Sequence, residues 1–137
     1  MKKILYTLAL VAALTSCVGS YNVEGSSSIT ALDGSKLYLK AIKNNQLKNL
    51  DSCEVVHGEF HFSGTLDSIR MASLYMDDES VMPIVLEKGD IVVKIEAGRQ
   101  IVSGTPLNDS LYVFIEEHNR LSNQMNELSH KQSQMLL

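Results

Sequence analysis

At 137 residues, 45% hydrophobic and 20% charged, the chain has ordinary globular usage and room for one modest core. Its formal charge of −4 argues against a nucleic-acid surface, which needs clustered Lys and Arg to displace counterions; Lys36, Lys40, Lys43 and Lys48 are spaced singly along one segment and read as a solvated edge. With no Trp and 6% aromatic residues, the composition lends no support to a platform that stacks bases or sugars.

The chain opens with Lys2 and Lys3, a positive n-region, followed by residues 4–13, apolar apart from Tyr6 and Thr7. That is the length of a signal h-region and well short of the roughly 20 apolar residues a membrane span needs. Leu14-Thr15-Ser16-Cys17 comes next and resembles the bacterial lipobox: a branched apolar residue, two small residues and an obligatory cysteine. The resemblance implies cleavage of a 1–16 signal peptide, diacylglycerol in thioether linkage on Cys17, and acylation of the new amino terminus. A thiol is the nucleophile such lipid transfer requires, and small residues give the peptidase access to the chain. Loss of Lys2 and Lys3 leaves ten basic residues against sixteen acids, a formal charge of −6 for the mature chain. Each buried methylene contributes about 0.8 kcal/mol, so several acyl chains hold a protein to a membrane with no help from its fold.

After the lipobox, residues 17–28 read as the lipidated cysteine and a flexible Gly- and Ser-rich tether that merges into a first strand, Tyr21 and Val23 being its large apolar residues. Short apolar or alternating runs then recur at intervals of about ten residues: 37–42, 52–56, 60–65, 68–76, 83–87, 91–96 and a short segment at 101–102. Turn signals separate them, among them Asn44-Asn45, Asp77-Asp78-Glu79, and Gly34, Gly58 and Gly89 at positions that suit a positive φ. The connections are too short for crossover helices. The expected fold is therefore mainly β, an antiparallel β-sandwich or open barrel of seven to eight strands over residues 29–104.

Composition changes at Gly104-Thr105-Pro106. Thr105 or Asn108 can cap a helix, and Leu111, Phe114, Ile115, His118, Leu121, Met125 and Leu128 follow at helical spacing. Residues 105–137 thus read as one amphipathic connector helix whose first half, through Leu121, docks on the sandwich and whose second half, rich in Gln, Ser and Asn, awaits another domain.

Three segments carry a family resemblance: residues 50–64 around Cys53-Glu54-Val55-Val56-His57-Gly58-Glu59, residues 82–90 around Leu86-Glu87-Lys88-Gly89-Asp90, and residues 102–109 around Ser103-Gly104-Thr105-Pro106. Together they resemble domain of unknown function 4369, over most of residues 21–120. The resemblance implies a β-rich domain set between a lipobox and a C-terminal thioredoxin-like domain in envelope thiol-disulfide oxidoreductases of Gram-negative bacteria. The Cys-x-x-Cys pair of such a domain does not occur in this sequence.

Candidate chemistry is sparse. With Cys17 consumed by lipid, Cys53 is the single thiol, and dithiol exchange within one copy is excluded. Cys53 lies in an expected strand beside Glu54 and reads as a core residue. His57, Glu59 and His61 surround one tight turn, where donors seldom converge, so no metal is expected. Asp77-Asp78-Glu79 lacks the spacing of a calcium loop and reads as a solvated turn. His118 is expected to pack on the helix's apolar face. No catalytic residue and no cofactor is expected. The sequence therefore points to an envelope lipoprotein held to the inner or outer membrane through Cys17, on the periplasmic side because residues 18–23 lack the acidic cluster of a surface-export signal. Its expected role is the non-catalytic N-terminal module of a thiol-disulfide oxidoreductase-type protein, with a thioredoxin-like domain or an envelope protein as partner and no nucleic acid. The alternative is a stand-alone β-sandwich that binds an envelope peptide, glycan or protein.

Overall fold

The structure, a computed structural model, describes residues 19–136, so Cys17 and the expected signal peptide of residues 1–16 lie outside the described residues. The described residues form eight strands and one long helix: β1 (Gly19–Ser27), β2 (Lys36–Lys43), β3 (Gln46–Glu54), β4 (Glu59–Leu66), β5 (Arg70–Met76), β6 (Glu79–Leu86), β7 (Gly89–Glu96), β8 (Arg99–Ser103) and α1 (Pro106–Met135). Two four-stranded sheets pack as a sandwich, one ordered β4-β1-β7-β8 and the other β3-β2-β5-β6. The expected sandwich is what forms.

Alternation builds the core. Leu37, Leu39 and Ala41 of β2, Ala72 and Leu74 of β5, Ile91, Val93 and Ile95 of β7, and Phe60 and Phe62 of β4 point between the sheets, while their neighbours in sequence face outward. Among the described residues the buried cluster runs from Tyr21 to Val102. Turn chemistry agrees with the pattern. Asn44 and Asn45 both have positive φ, as do His57 and Gly58, the geometry of tight hairpin turns whose twist matches the flanking strands.

Residues 17–28 need correction. From Gly19 onward the expected tether is β1, an interior strand paired antiparallel with β4 and parallel with β7, with Tyr21 and Val23 buried. Within this linker-like stretch Gly25 is a packing device, the register partner of Phe60, and on the neighbouring β4 Gly64 plays the same part for Tyr21. A Cβ at Gly25 would fall 2.1 Å from the Phe60 ring, and one at Gly64 would fall 2.6 Å from the Tyr21 hydroxyl. Each aromatic ring lies across its glycine and covers the backbone there. The parallel β1–β7 pair is also new; it requires no crossover helix because the two strands lie far apart in sequence and five other strands intervene.

Two short links, residues 67–69 between β4 and β5 and residues 87–88 between β6 and β7, carry the chain from one sheet to the other. Both sit at the end of the sandwich where β1 begins, because Gly19 pairs with Leu66 and Tyr21 with Gly89. This end is called proximal below.

Candidate functional site

Helix α1 also starts at the proximal end. Gly89 lies against Thr105, the residue that precedes the helix. From there α1 runs back along the open side of the sandwich, between the edge strands β6 and β8. Its third residue, Asn108, is fully buried and replaces a missing strand neighbour. The Val85 amide donates to Asn108 Oδ1 at 2.8 Å, and Asn108 Nδ2 donates to the Val85 carbonyl at 2.7 Å and to Thr105 Oγ1 at 2.8 Å. The Asn108 backbone N–H donates to the buried Glu87 carboxylate at 3.0 Å. A primary amide has the donor and acceptor of a peptide unit, so Asn108 closes the β6 edge as a strand would. Asp109 holds the turn before the helix by accepting from Gly104 N–H at 3.1 Å. Asn108 was legible in the sequence only as a helix cap; its pairing with β6 was not.

Farther along, Arg99 in the hairpin between β7 and β8, at the distal end, hydrogen-bonds the Tyr112 hydroxyl and lies 3.7 Å from the Glu116 carboxylate. Arg99, Tyr112, Glu116 and Asn119 line a groove of about 360 Å³ between helix and sandwich. Beyond this point α1 leaves the body: every residue from Glu116 to Met135 is exposed. Past Asn123, the last helical residue to line that groove, twelve residues run on to Met135, about 18 Å at 1.5 Å per residue. The docked half is therefore shorter than expected. Leu111, Tyr112 and Ile115 are half-buried, whereas Phe114 and Leu121 are 67% and 53% exposed. His118 does not pack on the sandwich; it is exposed and stacks on Phe114, ring centroids 6.4 Å apart. The helix turns the face bearing Asn108, Tyr112 and Ile115 to the sheets, and the stripe through Phe114 and Leu121 to the side.

Cys53 is half-buried in β3, opposite Leu37. Burial pushes its thiol pKa up, a backbone hydrogen bond from His61 opposes this, and Asp51 adds to the rise. A thiol held protonated is a poor nucleophile. His57 occupies a positive-φ turn position, while His61 faces the outside of β4, hydrogen-bonded to Asn22 and 3.5 Å from the Glu24 carboxylate. Among the described residues no group of His, Cys, Asp or Glu gathers as a metal site. Asp77 takes a positive φ in the turn between β5 and β6.

The proximal entry of β1, two residues after Cys17, and the distal departure of α1 are therefore the features that position anything attached to the two termini of the described chain. No curated protein sequence matches this chain. Residues 21–111 match the family described as Domain of unknown function (DUF4369), and the chain belongs to that family.

Proposed function

We propose, with membership of this family as the premise, that the protein is a lipid-anchored envelope module that holds a thioredoxin-like or other envelope partner at a set distance from the membrane and does no chemistry itself. The observation that carries the reading is the polarity of the sandwich: β1 enters at the proximal end and α1 projects from the distal end. Two residues span at most about 7 Å, so a lipid on Cys17 would hold the proximal end against the bilayer and direct the exposed half of α1 away from it. The half-buried, protonated thiol of Cys53 supports a non-catalytic role.

The test is Cys17→Ala in the full chain. The leader should stay uncut and labelling with a radioactive fatty acid should disappear; a soluble, correctly cleaved product would overturn the anchor. For the module itself, Cys53 should react slowly with a thiol reagent in native buffer and rapidly in denaturant, and the protein should not reduce insulin disulfides. Rapid native labelling would make Cys53 a functional thiol and defeat the spacer reading.

A further inference from the structure

We infer that the outer face of the β3-β2-β5-β6 sheet, at its proximal end, is a membrane-binding surface that lies against anionic phospholipid. In β2 the inward set Leu37, Leu39 and Ala41 leaves Lys36, Tyr38, Lys40 and Ile42 on the outer face. In β5, Ala72 and Leu74 turn inward and leave Met71, Ser73 and Tyr75 outward. Toward the proximal end this face becomes apolar. Ile42 is 71% exposed, its register partner Leu47 51%, Met71 54%, and Ile69 in the adjoining link 65%. Ile42, Leu47 and Met71 line one shallow groove with Lys40 and Tyr75. Four large apolar side chains clustered in water on a small domain mark an interaction surface.

The cations around the cluster favour a lipid surface as its occupant. Lys40 lies over the Tyr75 ring at 4.8 Å and the Tyr38 ring at 5.6 Å, Arg70 lines the same groove as Ile42 and Met71, and Lys43 follows Ile42 at the end of β2. Apolar side chains that can enter the acyl boundary, tyrosines at the level of the head groups and lysines that reach phosphates form the chemistry of an interfacial protein. The acid on the outer face of β3, Glu54, pairs with Lys36 at the distal end, away from the cluster. The other sheet differs: around Asn22 its outer face carries Glu24, Asp90 and His61. Asp67, in the link beside Ile69, is exposed and lies 3.8 Å from Arg70, so around the apolar cluster the bases Lys40, Lys43 and Arg70 outnumber that acid.

The inference rests on the anchor proposed above for its setting, but its test does not use the anchor. Residues 19–137 hold the buried cluster that runs from Tyr21 to Val102 and contain no Trp, so a single introduced Trp reports its own surroundings. Ile69→Trp and Leu121→Trp would be made in this fragment, checked by circular dichroism, and titrated to millimolar lipid with vesicles containing phosphatidylglycerol or with pure phosphatidylcholine. With the anionic vesicles the Trp at position 69 should shift to the blue and the one at position 121 should not. Removing Lys40 and Lys43 as Gln, with Ile69→Trp as reporter, should weaken the partition roughly fivefold for each cation. No shift at position 69, an equal shift at both positions, or an equal response to phosphatidylcholine would overturn the surface. A soluble, correctly cleaved Cys17→Ala product would overturn the anchor and leave this surface standing.

Discussion

The first three turns of α1 and the five that follow belong to one continuous helix, yet different physics holds them. The root is fixed by an amide that completes a sheet edge and by Leu111 and Tyr112 against the core, with Ile115 lining the groove beside them. The stalk keeps a similar apolar spacing, with Leu121, Met125 and Leu128, and buries none of it. An apolar stripe stabilises a helix only where another surface removes it from water, and isolated helical segments of this length are marginal. Amphipathic spacing alone therefore does not tell a docked helix from a projecting one; a single buried polar contact does.

The sharpest way to break this contrast is Asn108→Asp. The exchange keeps the shape but removes the amide donors to Val85, Thr105 and Glu87, and sets a second carboxylate beside Glu87. It should cost more than 3 kcal/mol at neutral pH, on the order of the loss when a buried network gains an uncompensated charge. Because the folded state would then bind a proton more tightly than the unfolded one, stability should recover as the pH falls. Urea unfolding at two pH values checks both claims. Asn108→Ala leaves the Val85 amide and carbonyl unpaired without the added charge and should cost about 2–4 kcal/mol, with the helix root loosened.

Hydrogen exchange sharpens the same boundary without mutation. Amides from Asp109 to about Ile115 should exchange at least roughly tenfold more slowly than those beyond Leu121, whose local opening needs no rupture of the sandwich. Uniform protection through Met135 in a monomer would show that something in this chain covers the stalk. The smallest effects belong to the stalk itself: Leu121→Ser or Leu128→Ser should change global stability by less than about 0.5 kcal/mol, as for exposed sites elsewhere. A larger loss in thermal unfolding would mean that the stripe is covered.

A further check concerns the half-buried thiol. Burial raises the Cys53 pKa in the folded state, so its contribution to stability is fully present below the ordinary thiol range and is lost as the pH rises through the raised value. Replacing Cys53 with Ala should flatten that alkaline decline.

Periodicity and turn chemistry made much of the fold legible. Alternating runs marked six of the strands, the asparagine and glycine pairs marked the hairpins, and the change at Gly104 marked the start of the helix. These are local properties: a residue's side of a strand and a turn's φ depend on a few neighbours. β3 began well before the expected residue 52 because Gln46 to Asp51 lie on an exposed edge, where no alternation is required. Reading β1 as a tether failed for a non-local reason. Its small residues signal flexibility, but Phe60 of β4 lies across Gly25 and Tyr21 lies across Gly64 of β4, and those pairings join residues some forty positions apart.

By itself, the sequence determined a mainly β domain with one C-terminal helix, a single thiol after Cys17, and a lipobox-like segment ahead of β1, because each is written in composition or short-range pattern. Only the tertiary structure decided that β1 lies inside a sheet beside β7, that Asn108 closes the β6 edge, that His118 and Phe114 face water, and that chain entry and helix departure lie at opposite ends. A hydrophobic period records which residues leave water together, but the partner surface that removes them from water is set by how distant segments pack.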